Sequence, residues 1–167
     1  MAKTLLVLRH GKAEPAEKVE KDDFDRALTA RGESNSFAMG DYIRKKGLKP
    51  DLIISSQAVR AISTARNIAS KLEDVEVEEH EDMYGAYSPD LLAIISDLDD
   101  SISSVMLVGH NPALENLVDE LTDSYETVLK TCSLAILKTT KKSWSEIMHG
   151  DFKVISFQNP RDIDPTP

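Results

Sequence analysis

Apolar residues along the chain alternate between two spacings. Leu5-Leu6-Val7-Leu8 is an unbroken apolar run that stops at Arg9-His10-Gly11. A short run closed by glycine reads as a strand buried on both faces, the pattern of a parallel sheet. A helical spacing follows. Phe37, Ala38, Tyr42 and Ile43 form a stripe behind Thr29, the predicted N-cap, and Gly47 with Pro50 stops it. Residues 51–56 predict a second strand. Residues 58–72 predict a second helix, with Ile62, Ala65, Ile68, Ala69 and Leu72 on one face. Residues 75–78 alternate as a short third strand, and residues 89–98 predict a third helix capped by Ser88 with Pro89 first. Residues 104–108 predict a fourth strand, and Pro112 opens a fourth helix carrying Leu114, Leu117, Val118 and Leu121.

This alternation implies parallel βαβ units. The fold class is therefore α/β: a three-layer sandwich with a mostly parallel central sheet and helices on both faces. Residues 125–130 predict one more short helix. Residues 133–138, 144–148 and 153–157 predict antiparallel strands added at the C-terminal end. Residues 1–158 read as one domain, and 159–167, with Pro160, Pro165 and Pro167, as an extended or disordered tail. Residues 12–26 and 79–85 read as charged, solvated loops.

Composition narrows the classes. The chain has 167 residues, 41% of them hydrophobic and 29% charged, which suits a globular domain with a sizeable core. A net charge of -9 argues against a nucleic-acid partner, because phosphate backbones reward clustered Lys and Arg. It leaves room for a local phosphate pocket, since a few arginines can be focused in one place. Cys132 is the only cysteine, which rules out an intramolecular disulfide and a cysteine-rich metal site. No apolar run approaches the ~18 residues of a membrane span. Arg9 and His10 interrupt the first apolar run too early for a signal peptide, so a cytoplasmic location is expected.

The candidate chemistry lies where strands end. Arg9 offers a planar fork of donors, His10 a nucleophilic ring nitrogen, and Gly11 a backbone that a ligand can approach closely. Arg60 falls in the first turn of a predicted helix, where a cation opposes the helix dipole and a bound anion would resolve the conflict. His110 ends the fourth strand. Alone, Arg9-His10-Gly11 reads better as a polar turn, and Arg60 and His110 read equally well as a surface arginine and a turn histidine. In a parallel sheet the carboxyl ends of strands share one edge, so the set can converge. Two arginines and two histidines fit phosphoryl transfer to a histidine: one imidazole attacks phosphorus while the other groups neutralise the equatorial oxygens.

Leu8-Arg9-His10-Gly11-Lys12-Ala13, Asp25-Arg26-Ala27-Leu28-Thr29 with Gly32, Ser55-Ser56 with Arg60-Ala61 and Thr64-Ala65, and Val108-Gly109-His110-Asn111-Pro112 occur in this order. Together they resemble the histidine phosphatase superfamily (phosphoglycerate mutase-like), and within it the small SixA-type phosphohistidine phosphatases. The resemblance implies that His10 becomes phosphorylated, that Arg9, His10, Gly11, Arg60 and His110 form the phosphate pocket, and that neither metal nor organic cofactor is needed. It implies as substrate a phosphorylated protein, such as a histidine phosphotransfer domain, or a small phosphomonoester, with inorganic phosphate as product. A phosphate-binding module with little turnover is the reading from another class. Larger relatives carry an insertion that covers the site and supplies a glutamate acid. Here only residues 79–88 stand at that place. Glu81 is the nearest positional candidate for the acid. A short rim leaves room for a protein-borne phosphohistidine, whose nitrogen leaving group needs less help than an alkoxide.

Overall fold

The computed structural model describes residues 2–16 and 22–163. Residues 17–21 of the predicted first loop and 164–167 of the predicted tail lie outside the described residues. Six strands form one sheet: β1 (Lys3–Arg9), β2 (Leu52–Ser56), β3 (Glu76–His80), β4 (Ser104–Gly109), β5 (Leu134–Thr139) and β6 (Lys153–Gln158). The order across it is β3-β2-β4-β1-β5-β6. The first four strands are mutually parallel, while β5 runs antiparallel to β1 and β6 to β5. The expected α/β architecture, with an antiparallel C-terminal addition, is the one observed.

The helices are α1 (Ala30–Lys45), α2 (Val59–Ala69), α3 (Ser88–Ser96), α4 (Ala113–Thr122) and α5 (Pro160–Ile163). Successive side chains of a strand point to opposite faces. Leu5 and Val7 accordingly join one core with Leu91 and Ile95 of α3 and Leu114, Leu117 and Val118 of α4. Leu6 and Leu8 join the other, with Met39 and Ile43 of α1 and Ala61, Ala65 and Ile68 of α2. The unbroken Leu5–Leu8 run thus serves two cores at once. Thr29 caps α1 as predicted, its side chain accepting from the Gly32 N–H at 3.0 Å. Gly47 closes that helix with φ +70°.

Three expectations near the C-terminus need correction. Residues 144–148 do not form a strand. A 3-10 helix spans Trp144–Glu146, and it is set by burial of the indole, whose Nε1–H donates to the Ile102 carbonyl at 2.8 Å. Residues 125–130 form no helix, because side chains of α4 capture their backbone donors. Asp119 accepts from the Thr127 N–H and hydroxyl, and Glu115 accepts from the Leu129 N–H. The chain past Asn159 is not extended throughout. Asn159 accepts from the Ser133 hydroxyl at 2.7 Å, and α5 then packs against α1, placing Ile163 on the second core.

Candidate active site

Strand register brings the expected residues to one edge. Arg9 pairs with Gly109, and Ser55 with Val108, so β1 and β2 flank the carboxyl end of β4. His10 and His110 each follow a strand end directly. Their ring centroids lie 5.1 Å apart. Gly11 and Gly32 explain how the first turn fits. A Cβ on Gly32 would come within 2.2 Å of the Lys12 carbonyl oxygen, and one on Gly11 within 3.0 Å of the Gly32 carbonyl oxygen. The turn after β1 and the first turn of α1 touch through bare backbone. Thr29 ties them further, its N–H donating to the Lys12 carbonyl at 2.9 Å.

His10 is only 8% exposed. Its Nδ1 meets the Gly11 carbonyl at 2.7 Å. A carbonyl accepts only, so Nδ1 carries the proton and Nε2 keeps its lone pair. Burial, followed by coupling to His110 and the positive charges of Arg60 and Arg9, pulls this imidazole from 6.5 down to about 3, against the Gly11 hydrogen bond. His10 is therefore a neutral, oriented base whose Nε2 carries the lone pair of a nucleophile.

Arg60, 6% exposed, lies in the first turn of α2 as expected. Its Nε approaches His10 Nε2 at 3.4 Å, and Nη2 lies 3.5 Å from His110 Nδ1. The Arg60 carbonyl accepts from the Thr64 hydroxyl, whose oxygen accepts in turn from the Gly11 N–H at 2.9 Å. The helix that carries Arg60 is thereby tied to the turn that carries His10. His110 Nε2 bonds the Ser56 hydroxyl at 2.8 Å. Burial and then Arg60 lower this imidazole to about 4. Arg9 Nη1 donates to the Leu129 carbonyl at 3.1 Å, and its buried Nε–H has no acceptor among the described residues.

The structure thus assembles Arg9, His10, Gly11, Arg60 and His110. Glu81 stands apart. It is exposed in the 3-10 helix Glu81–Met83, where Met83 turns inward, and among the described residues it makes no hydrogen bond or ion pair with the others. Two residues absent from the sequence reading take the place beside Arg60. Asp23 accepts from Arg60 Nη2 at 3.1 Å and, through its backbone carbonyl, from Nη1 at 2.8 Å. The Tyr84 hydroxyl donates to the same Asp23 Oδ2 at 2.6 Å, and its ring stands edge-on to His110.

The profile of the histidine phosphatase superfamily (branch 1) matches residues 5–84. A crystal structure assigned to the phosphohistidine phosphatase SixA of Agrobacterium tumefaciens superposes with a TM-score of 0.82 at 27% identity, covering 96% of this chain and 99% of that one. The chain belongs to the histidine phosphatase superfamily. This histidine phosphatase is also similar to an uncharacterized chloroplastic protein of Arabidopsis thaliana, with 28% identity over 87% of this chain and 71% of the relative. A structure assigned to an alpha-ribazole-5'-P phosphatase of Escherichia coli shares the fold, with a TM-score of 0.72, 15% identity, and 96% of this chain and 98% of that one covered. Membership makes the chain a phosphatase that needs no metal. Among the described residues, no helix is long and apolar enough to cross a membrane.

Proposed function

We propose that this histidine phosphatase removes phosphate from phosphohistidine on a protein, such as a histidine phosphotransfer domain in the cytoplasm, with small phosphomonoesters as poorer substrates. The observation that carries the reading is the low rim. Only residues 81–87, beginning with a single 3-10 turn, separate β3 from α3. A folded partner can therefore bring its imidazole to His10.

His10 Nε2 attacks phosphorus, the P–N bond to the substrate breaks, and the phosphoryl group moves to His10. Arg9, Arg60 and His110 hold the equatorial oxygens as charge redistributes among them. Gly11 supports the step by fixing the Nδ1 proton and letting α1 approach. Water then hydrolyses the phosphohistidine and inorganic phosphate leaves.

The test compares phosphorylated histidine phosphotransfer domains with a panel of small phosphomonoesters, in the presence of chelator. The protein substrates are expected to show the higher kcat/KM, with acid-labile, base-stable label trapped on His10 by rapid quench. His10→Ala should abolish that label while inorganic phosphate still binds. Label on Ser55 or Ser56 would overturn the mechanism, and a uniform preference for one metabolite would overturn the substrate class.

A further inference from the structure

We infer that Asp23 is the proton donor to the leaving group, a role that rests on the phosphoryl-transfer reading above. In an in-line displacement the nucleophile and the departing atom lie on opposite sides of phosphorus, and a guanidinium can grip the oxygens between them. Arg60 reaches both groups. Its Nε faces His10 Nε2 at 3.4 Å, while its Nη2 and Nη1 face Asp23, through Oδ2 at 3.1 Å and the backbone carbonyl at 2.8 Å. The nucleophile and the carboxylate thus meet different nitrogens of one guanidinium, which lies between them. Asp23 also stands on the open side of the site: its side chain is 48% exposed, while that of Arg60 is 7% exposed.

The carboxylate is built in. Arg26 holds Oδ1 with Nε at 3.0 Å and Nη2 at 2.8 Å, and Arg26 itself is anchored on the Glu14 carbonyl at 2.8 Å. Phe24 packs edge-on against Tyr84 at 5.1 Å. Oδ2 receives the Tyr84 hydroxyl and Arg60 Nη2. These donors, Tyr84 first, hold the Asp23 carboxyl at about 2 in the free protein. An arriving phosphoryl group takes Arg60 Nη2 and the Tyr84 hydroxyl for its own oxygens. Oδ2 is then left without donors beside a negative charge, which is the setting that raises a carboxyl pKa.

The proton count closes. A phosphomonoester bound as its monoanion passes its proton to Asp23 Oδ2. The His10 Nε2–P bond forms and the P–O bond breaks, its electron pair going to the leaving oxygen, which takes the proton from Oδ2. In the second step a water oxygen bonds phosphorus and gives a proton to Asp23 Oδ2. The P–N bond breaks, its pair returns to Nε2, and Oδ2 hands its proton to the departing phosphate, which leaves as the monoanion and restores the carboxylate.

The experiment measures Asp23→Asn and Asp23→Ala on p-nitrophenyl phosphate and on an alkyl phosphate. The good leaving group needs little protonation, while the alkoxide needs it fully. The expected result is a kcat/KM loss ~10²-fold or more larger for the alkyl ester. Thermal melting and vanadate binding check that both variants fold and keep the anion pocket. Equal losses on the two esters would make Asp23 a holder of Arg60 only, and no loss on either would remove it from the reaction. Absence of label on His10 in the unaltered protein is a separate result, and it would strike the underlying mechanism instead.

Discussion

Arg60 directs three nitrogens at four groups: Nε at His10, Nη1 at the Asp23 carbonyl, and Nη2 between Asp23 Oδ2 and His110. Only a planar fork can do this, since a lysine ammonium is a single point with no fixed directions. Arg60→Ala should lower kcat by about 10²–10³-fold, the loss usual for one transition-state donor. Arg60→Lys restores the charge but not the fork, so it should regain a minor part of that loss. Steady-state kinetics on an aryl phosphate reads the difference. Full activity in the lysine variant would mean that charge alone matters at this position.

At the scale of elements, the Gly11 turn and the N-terminus of α1 form a single unit. The Thr29 hydroxyl both receives the Gly32 N–H and donates to the Lys12 carbonyl at 3.2 Å. Gly32→Ala puts a methyl where the Lys12 carbonyl stands, 2.2 Å away, and that obstacle is backbone. The turn must shift, carrying with it the Gly11 carbonyl that orients His10. The variant should be destabilised by ~1–3 kcal/mol, as for other overpacked sites, and should lose activity out of proportion to its folded fraction. Denaturant titration beside kcat tests this, and an unchanged kcat would show the turn to be independent of α1. This unit was legible in the sequence because its signals are local: an apolar run, a glycine, a capping threonine. Arg60 and His110 were legible as strand-end residues for the same reason. Asp23 and Tyr84 were not. Asp23 meets Arg60 across 37 positions, and Tyr84 meets Asp23 across 61. Each looks like an ordinary member of an acidic loop until the sheet brings the loops together. The strand expected at 144–148 failed similarly, because burial of one tryptophan outweighed local preference.

For the whole molecule, the cost of a neutral two-histidine site appears as a pH dependence of folding. His10 and His110 have folded values of about 3 and about 4, both below the ordinary 6.5. Between those values the unfolded chain binds protons that the folded chain refuses. Stability from these groups is therefore complete above about pH 6.5 and falls as pH drops toward 4, by up to ~1.4 kcal/mol per pH unit for each histidine. Asp23 acts in the same direction in a lower window: its folded value of about 2 lies under the ordinary 3.8, so its contribution is lost as pH falls through that interval. An opposing effect is present, because acidification relieves the self-repulsion of a chain carrying a net charge of -9. A single titration curve mixes the two. The difference between the unaltered protein and a His10→Asn, His110→Asn double variant separates them, since the general charge effect is common to both. Urea denaturation at pH 7.5, 6 and 5 should show the unaltered protein losing stability relative to the double variant at each step down. A constant gap across that range would mean that the two imidazoles take up protons as readily in the fold as outside it, and the neutral nucleophile would go with it.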